Sequence, residues 1–224
     1  MKTRVLVRTL SAVILLLATV MLGLLARTAP VTRRDLHVDR IAQHLRFPVG
    51  TDFFLALTGA ASEVAGVALL LVGVVTLIAR KRRWDALRLL AAAGGSWVIA
   101  IGVKDFIGRP RPPASLWALQ PDASGSFPSG HDTTACIVIL VAFMALRGTR
   151  ARAWATGAAA LFAAAVGISR VYLGDHYPTD VLGSWLVVAT TATLVWAISG
   201  IPAIRRLAQA VLRDPRLGIA PLPA

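Results

Sequence analysis

The chain has 224 residues, of which 56% are hydrophobic and only 16% are charged, and its formal net charge is +13. Average soluble domains carry about a quarter of charged residues, whereas here long uncharged runs alternate with short arginine-rich segments. This pattern excludes a disordered chain and argues against a soluble enzyme. It also argues against a nucleic-acid partner, since basic segments between hydrophobic runs are typical of cytoplasmic loops. The single cysteine, Cys136, cannot form an internal disulfide, which excludes a disulfide scaffold.

The hydrophobic runs predict an all-α, six-transmembrane-helix bundle that forms a single domain over residues 1–224. A helix needs about 20 residues to cross ~30 Å of hydrocarbon. The predicted spans are 5–26, 53–79, 87–103, 132–146, 153–168 and 179–199. Because the fourth and fifth are short, we expect the residues at their ends to lie recessed within the bilayer boundary.

The first run could instead be a signal peptide, since Lys2, Arg4 and Arg8 precede it. Its length and the lack of a small-x-small cleavage site after Ala26 favour a retained helix. The orientation follows from the basic residues, 15 of the 24 lysines and arginines lying in the segments that include both termini. Both termini, with the tail 200–224, are therefore predicted to be cytoplasmic.

Two segments outside the spans have an amphipathic pattern. In 35–45, Val38, Ile41 and Leu45 fall on one helical face, and 203–213 alternates apolar residues with arginines. Both are predicted to be interfacial helices, and the basic one would favour anionic lipids. The alternative is a solvated loop for the first and a frayed tail for the second.

Polar motifs occupy two segments on the predicted outer side. Lys104 is followed by a proline-rich stretch that holds Arg109 and Arg111 near the end of the third span. Before the fourth span, Ser129 and Gly130 lead into a helix N-terminus, where free backbone N–H groups and the helix dipole attract an anion. His131 stands beside this predicted anion site.

A third outer segment carries a histidine and a carboxylate at the start of the last span. His176 and Asp180 are four residues apart, close enough for the carboxylate to orient the imidazole. Cations, an anion site, two histidines and a carboxylate are what phosphoryl transfer through an enzyme-bound histidine requires. Taken singly, residues such as Arg170 or Ser169 are better explained as interfacial or packing residues, but together they favour catalysis.

At these residues the chain resembles the type 2 phosphatidic acid phosphatase superfamily, which is similar at its active site to vanadium haloperoxidases. The family pattern is Lys-x6-Arg-Pro, then Pro-Ser-Gly-His, then Ser-Arg-x5-His-x3-Asp. Residues 104–112, 128–131 and 169–180 match its three parts, in order and with every spacing intact. A match in three parts is far more specific than any one part.

The resemblance implies which residues bind the phosphate. The side chains of Lys104, Arg111 and Arg170 would bind its oxygens. Ser129 and the backbone of Gly130 would complete the cradle.

The resemblance also implies which residues do the chemistry. His176 would attack phosphorus in line and form a phosphohistidine. His131 would protonate the leaving lipid oxygen and then activate water, and Asp180 would hold His176 through its other ring nitrogen. No cofactor or metal is expected, since no tight group of carboxylates or cysteines suggests a metal site.

Several polar residues lie outside the pattern. Arg109 could assist the headgroup, but pairing with Asp105 is favoured. Asp175 could raise the basicity of His176 or be solvated, and Tyr172 and Tyr177 are predicted to be interfacial anchors.

Glu63 falls about ten residues into the predicted span 53–79, where an unpaired charge costs at least ~2.5–3.5 kcal/mol. It is therefore predicted to be either a protonated acid hydrogen-bonded in the bundle or a supporting partner of Lys104 or Arg170. Ser169 is a second possible supporting residue.

The sequence thus predicts a membrane lipid phosphatase in the cell membrane, with its active site on the outer face. By the resemblance, the substrate is a prenyl diphosphate such as undecaprenyl diphosphate, phosphatidylglycerol phosphate or phosphatidic acid. A lipid phosphotransferase that uses the same histidine and a non-enzymatic anion transporter are the alternatives. The oligomeric state is open, although Gly66 and Gly73 lie on one face and weakly suggest a dimer.

Overall fold

The computed structural model describes residues 2–213, and within them every regular element is helical. The elements are α1 (Lys2–Ala26), α2 (Ala29–His44), α3 (Pro48–Gly59), α4 (Glu63–Ala79), α5 (Arg83–Ile107), a short 3₁₀ turn (Ala114–Leu116), α6 (Gly130–Ala145), α7 (Ala151–Leu173), α8 (Pro178–Ile198) and α9 (Pro202–Arg213). The predicted all-α fold class is confirmed.

Local sequence signals explain where the helices near the motifs begin and end. The Ser129 side chain accepts a hydrogen bond from the backbone N–H of Asp132 and caps α6, and a proline in the first turn starts α8. Gly108 and Gly174 follow α5 and α7 in the left-handed conformation, with φ of 56° and 82°. Glycine adopts this conformation without a Cβ clash, so both helices end there.

Four helices, α1, α5, α7 and α8, are long and apolar enough to cross a membrane. The pair α3 and α4 passes the same test together but is bent by 48° at the break between its helices. At 16 residues, α6 is about 24 Å long, which is shorter than the ~30 Å hydrocarbon core. The structure therefore has four candidate spans, or five if α3 and α4 form one span together. The shorter apolar helix α6 matches the predicted run 132–146.

Two of the predicted spans differ from the structure. The run 53–79 is not one helix, because α3 ends at Gly59 and Ser62 caps a new helix by accepting a hydrogen bond from the backbone N–H of Ala65. The run 153–168 is not short, because α7 has 23 residues and continues to Leu173.

The break in 53–79 also changes the environment of Glu63. The interpretation of Glu63 as a buried residue in mid-span is wrong, because it is the exposed first residue of α4. A carboxylate in the first turn of a helix is favoured by the helix dipole. Within residues 2–213 no hydrogen bond or ion pair joins Glu63 to Lys104 or Arg170, so the structure offers no contact for a supporting role.

The bundle packs around α6, which contacts α4, α5, α7 and α8, while α1 lies along α8. The main core cluster includes Leu77, Leu89 and Ile137. Gly66 and Gly73 allow α4 to approach α6 closely, since a Cβ at Gly73 would lie 2.7 Å from a methyl of Val141. Both glycines are buried inside the chain, so the suggestion of a dimer through them is wrong.

The two amphipathic segments are helical, as predicted, and α2 turns its apolar face outward. Its acidic residues Asp35 and Asp39 are buried, whereas Val38, Ile41 and Leu45 are exposed. Ile204, Leu207 and Val211 of α9 are also exposed. Helices with an exposed apolar face suit the membrane–water interface. Residues 214–224 of the predicted tail lie outside the described residues.

Candidate active site

The three motif segments meet at one end of the bundle, which we call the motif end. It is formed by the last turns of α5 and α7, the first turns of α6 and α8, and the loops 108–129 and 174–177. Lys104 and Arg170 stand near the ends of α5 and α7, and Asp180 lies in the first turn of α8. The fold thus joins segments that are far apart in the sequence.

His176 is held between a carboxylate and a guanidinium. Its Nδ1 lies 3.4 Å from Oδ2 of Asp180, and its Nε2 lies 3.1 Å from Nη1 of Arg111. Asp180 is fixed in turn, because its Oδ2 accepts a hydrogen bond of 2.9 Å from the backbone N–H of Tyr177. A proton on Nδ1 facing the carboxylate leaves the lone pair of Nε2 directed at Arg111.

The environment keeps the His176 ring neutral. The side chain is 2% exposed, and burial lowers the pKa of His176 to about 3, with Arg111 and Arg170 acting in the same direction and Asp180 against it. A neutral imidazole has a free lone pair, whereas an imidazolium has none. His176 is therefore able to act as a nucleophile at neutral pH.

The three cations that the resemblance assigns to phosphate binding lie around this histidine. Nζ of Lys104 donates to the carbonyl of Gly125 at 2.9 Å. Nη1 of Arg170 donates to Thr58 Oγ1 at 2.7 Å, and Nη2 pairs with Asp175. Nη1 of Arg111 donates to the carbonyl of Asp175 at 3.1 Å. Contacts from the loops and from α3 thus hold all three cations at the motif end.

A carboxylate from the loop 108–129 sits on one of these cations. Oδ1 of Asp122 lies 2.8 Å from Nη2 of Arg111, and the Asp122 side chain is 72% exposed. Its partial burial would raise the pKa, but hydrogen bonds from Ser124 and Arg111 hold the pKa of Asp122 well below its usual range. The anionic carboxylate therefore pairs with a cation that the resemblance assigns to phosphate binding.

Arg109 is a functional candidate whose role the sequence did not predict. It pairs with Asp35 at 2.7 Å and with Asp180 at 2.5 Å, and its side chain is 1% exposed. The predicted pairing with Asp105 is therefore wrong. Its guanidinium also stacks 3.9 Å from the ring centroid of Tyr177. The sequence around Arg109 is a proline-rich loop, and nothing in it indicates that the partners of Arg109 lie more than seventy residues away in the chain.

Asp175 and the two tyrosines are also buried. Asp175 is fully buried and pairs with Arg170, so the interpretation of Asp175 as solvated is wrong. The tyrosines are not interfacial anchors, because Tyr172 and Tyr177 are 6% and 4% exposed. The hydroxyl of Tyr172 accepts a hydrogen bond of 3.1 Å from the backbone N–H of Phe47.

The remaining motif residues lie at the start of α6 and the end of α7. His131 is half-buried in the first turn of α6, within electrostatic range of Arg111 and Arg170. The Ser129 hydroxyl serves as the helix cap, and the space above the Gly130 backbone is open. Ser169 is buried and donates to the carbonyl of Val166 at 2.6 Å, as a packing residue does. No three His, Cys, Asp or Glu residues within 2–213 form a group that could hold a metal ion.

Comparison with protein families supports the resemblance. A family model described as the PAP2 superfamily matches residues 84–201, which include all three motif segments. Phosphatidylglycerophosphatase B of Bacillus subtilis is 28% identical over 163 residues, covering 70% of this chain and 79% of that protein. The undecaprenyl-diphosphatase BcrC of the same organism is 36% identical over 95 residues, covering 42% of this chain and 46% of that protein.

A solved structure has a similar fold over nearly the whole chain. It is the crystal structure of a transmembrane PAP2-type phosphatidylglycerolphosphate phosphatase from Bacillus subtilis. It matches with a TM-score of 0.71 and 26% identity, covering 91% of this chain and 98% of that chain. Together with the candidate spans, this likeness identifies a multi-pass membrane protein.

Proposed function

The chain belongs to the PAP2 superfamily, and we propose that it hydrolyses a terminal phosphate or diphosphate from a membrane lipid through a phosphohistidine. The observation that carries the proposal is the orientation of His176, whose Nδ1 faces Asp180 and whose Nε2 faces Arg111. A site that only binds anions does not need a buried, neutral imidazole held by a carboxylate.

In the first half of the reaction, the phosphoryl group is transferred from the lipid oxygen to His176. Lys104, Arg111 and Arg170 neutralise the phosphate oxygens, and the open backbone at Gly130 adds N–H donors at the helix N-terminus. Nε2 of His176 attacks phosphorus as the bond to the lipid oxygen breaks. The phosphohistidine carries positive charge on the ring, which Asp180 stabilises through Nδ1–H.

In the second half, water releases the phosphate. His131 donates a proton to the leaving lipid oxygen in the first half and is then a free base, able to take a proton from water. The water oxygen attacks phosphorus, the bond between phosphorus and Nε2 breaks, and His176 returns to its neutral form. The net products are the dephosphorylated lipid and inorganic phosphate.

The site suits a substrate that stays in the membrane. In this proposal six segments cross the membrane: the four long helices, the pair α3 and α4 as one crossing, and the short α6. The N-terminus of α6 is then recessed below the headgroups. The motif residues would then meet a lipid phosphate at the membrane boundary. The segments that include both termini hold 15 of the 24 lysines and arginines. This excess supports cytoplasmic termini and an outward-facing motif end.

The substrate class is supported by the relatives. Two of them are named as a phosphatidylglycerophosphatase and an undecaprenyl-diphosphatase. For this chain we favour undecaprenyl diphosphate or phosphatidylglycerol phosphate, with phosphatidic acid third.

The test is phosphate release by the detergent-solubilised protein from undecaprenyl diphosphate, phosphatidylglycerol phosphate and phosphatidic acid, with EDTA present. We expect turnover that survives the chelator and is lost in His176→Ala. Formation of a phosphate ester of an added acceptor alcohol, in place of inorganic phosphate, would mean a phosphotransferase. Flux of intact substrate into liposomes without cleavage would mean a transporter.

A further inference from the structure

A chain of buried ionic contacts continues beyond Asp180, away from the substrate. Asp180 uses Oδ2 for the His176 side, and its Oδ1 lies 2.5 Å from Nη1 of Arg109. The other nitrogen of Arg109, Nη2, lies 2.7 Å from Oδ2 of Asp35 on α2. The contacts therefore run from His176 through Asp180 and Arg109 to Asp35.

Each member of this chain has little freedom to move. The side chains of Arg109, Asp35 and Asp180 are 1%, 7% and 0% exposed. The Thr179 hydroxyl links Arg109 to Asp35. It accepts a hydrogen bond from Arg109 Nη1 at 2.7 Å and donates one to Asp35 at 2.5 Å. A guanidinium held on both sides by carboxylates has a fixed plane.

We propose that Arg109 and Asp35 are positioning residues that hold the Asp180 carboxylate in the orientation that aligns His176 for attack. This inference rests on the proposed function, because alignment has a meaning only if His176 is the nucleophile. Neither residue touches the phosphate site directly. Small errors in the placement of a reacting group lower the rate steeply, so this outer pair determines kcat rather than substrate affinity.

The test compares Arg109→Gln, Arg109→Lys, Asp35→Asn and the double variant Asp35→Asn/Arg109→Gln with the unchanged protein. We expect Arg109→Gln to lower kcat about 10- to 100-fold, with KM changed less than about 3-fold because Lys104, Arg111 and Arg170 remain. Arg109→Lys should recover part of kcat. The double variant should be no slower than Arg109→Gln, since both changes break one contact chain.

Size-exclusion chromatography gives the concentration of folded protein, so that kcat is expressed for folded protein only. A merely structural role would lower the folded fraction and the melting temperature but leave kcat per folded protein unchanged, and this would overturn the inference. Additive losses in the double variant would also overturn it. Absence of turnover in the unchanged protein would instead overturn the proposed function.

A second feature lies at the opposite end of the bundle, which we call the arginine end. Five arginines from three helices, Arg4, Arg8, Arg88, Arg205 and Arg206, line a cavity of about 610 Å³. No carboxylate is among the residues that line it. Asp85, in the adjacent cavity, lies 3.5 Å from Arg88. Within residues 2–213, Arg4, Arg205 and Arg206 have no ion pair.

The surroundings of this cavity are those of a lipid headgroup. Val5, Gly200 and Pro202 add apolar lining, and α9, which supplies Arg205 and Arg206, also carries Leu207 and Val211, which are 63% and 51% exposed. A helix with exposed apolar residues and arginines lies in the headgroup plane. Arginine forks match phosphate oxygens in geometry and charge.

The geometry points to this cavity as a binding site for the phosphate of an anionic phospholipid, separate from the motif end. The probe is dioctanoylphosphatidylglycerol, which has no terminal phosphate for the motif end to remove. Binding is measured by native mass spectrometry and by the rise in melting temperature. Dioctanoylphosphatidylcholine and inorganic diphosphate are run beside it.

The test variant is Arg4→Gln/Arg205→Gln/Arg206→Gln. The matched control is Arg33→Gln/Arg34→Gln/Arg40→Gln, which removes the same charge from exposed arginines of α2. We expect the test variant to bind phosphatidylglycerol at least about 10-fold more weakly and the control to bind it normally. Equal binding by the two variants would overturn the inference, as would equal binding of phosphatidylcholine. Diphosphate that binds as tightly as the lipid would identify a site for free anions instead.

Discussion

The motif end and the arginine end are both rich in arginine, but their arginines are in different environments. At the motif end, Arg109 and Arg170 are 1% and 3% exposed, and each pairs with buried carboxylates. At the arginine end, Arg4, Arg205 and Arg206 are exposed and, among residues 2–213, have no acidic partner. Burial and pairing therefore separate the arginines of the proposed reaction site from those of the proposed lipid site, a distinction that a charge count does not make.

The largest effect should come from the carboxylate that faces His176. Asp180→Asn should lower kcat by about 10³–10⁴-fold, because an amide does not stabilise the charged ring and favours the wrong tautomer. Steady-state kinetics on the best lipid substrate measure this. Asp105→Asn is the control, since Asp105 is exposed near the same end. A loss below about 10-fold would mean that the motif end is not organised around this pair.

The second-largest effect on activity and stability is expected at Gly174, which is compared with Gly148. Both glycines have left-handed backbones, and they lie near opposite ends of α7. A Cβ at Gly174, with φ of 82°, would overlap the carbonyl oxygen of Leu116, whereas one at Gly148, with φ of 86°, would meet nothing within 4 Å. Gly148→Ala should therefore cost only the backbone penalty of ~1–2 kcal/mol. Gly174→Ala should cost more and also lower kcat, because the loop near Arg111 must shift. Similar melting temperatures and rates for the two variants would contradict this comparison.

Asp39 provides a pH-dependent effect on stability. Burial, with the nearby charges of Asp35 and Asp180, raises the pKa of Asp39 to about 8 from 3.8. The folded state thus keeps a proton that the unfolded state loses, so stability is full below about pH 4 and falls as the pH rises to about 8. The slope is at most ~1.4 kcal/mol per pH unit.

Asp39→Asn removes this penalty, since an amide does not ionise. Its advantage in melting temperature over the unchanged protein should grow from pH 5 to pH 8 and then level off. Asp52→Asn, at an exposed position on α3, is the control. An advantage that is constant with pH would show that Asp39 does not titrate in this range.

The smallest effect concerns the loop carboxylate that pairs with Arg111. Because Asp122 competes with phosphate for this cation, Asp122→Asn should lower KM and the inhibition constant of inorganic phosphate, by about 2- to 5-fold. The pKa of Asp122 lies well below its usual range, so the effect should be constant between pH 5 and 8. A rise in KM would mean that Asp122 helps to close the loop over the substrate.

The sequence predicted much of the motif end because the motif residues keep fixed spacings at helix ends. It also located the apolar runs, since these depend on composition alone. It did not predict the break before Glu63, because the apolar run continues through it and only the Ser62 cap marks a new helix. It also missed the partners of Arg109, which lie 74 and 71 residues away and are brought near only by folding.

The sequence predicted an amphipathic, interfacial helix at α2, but it did not predict the partner of the buried acidic face. Amphipathicity shows that Asp35 and Asp39 lie opposite Val38 and Ile41, but it does not say which face packs on the protein. In a soluble domain the apolar face would be buried. Here the surroundings are apolar and the buried partner is Arg109, so the acidic face turns inward.

The most direct test of the central claim is to trap the phosphoenzyme. Rapid acid-free quenching with a ³²P-labelled terminal lipid phosphate should label the unchanged protein with an acid-labile, base-stable phosphate. His176→Gln should show no label, whereas His131→Gln should gain its label more slowly and then keep it longer, because both the acid of the first half and the base of the second are missing. Label that persists in His176→Gln, or phosphate release with no labelled intermediate in any variant, would contradict the account.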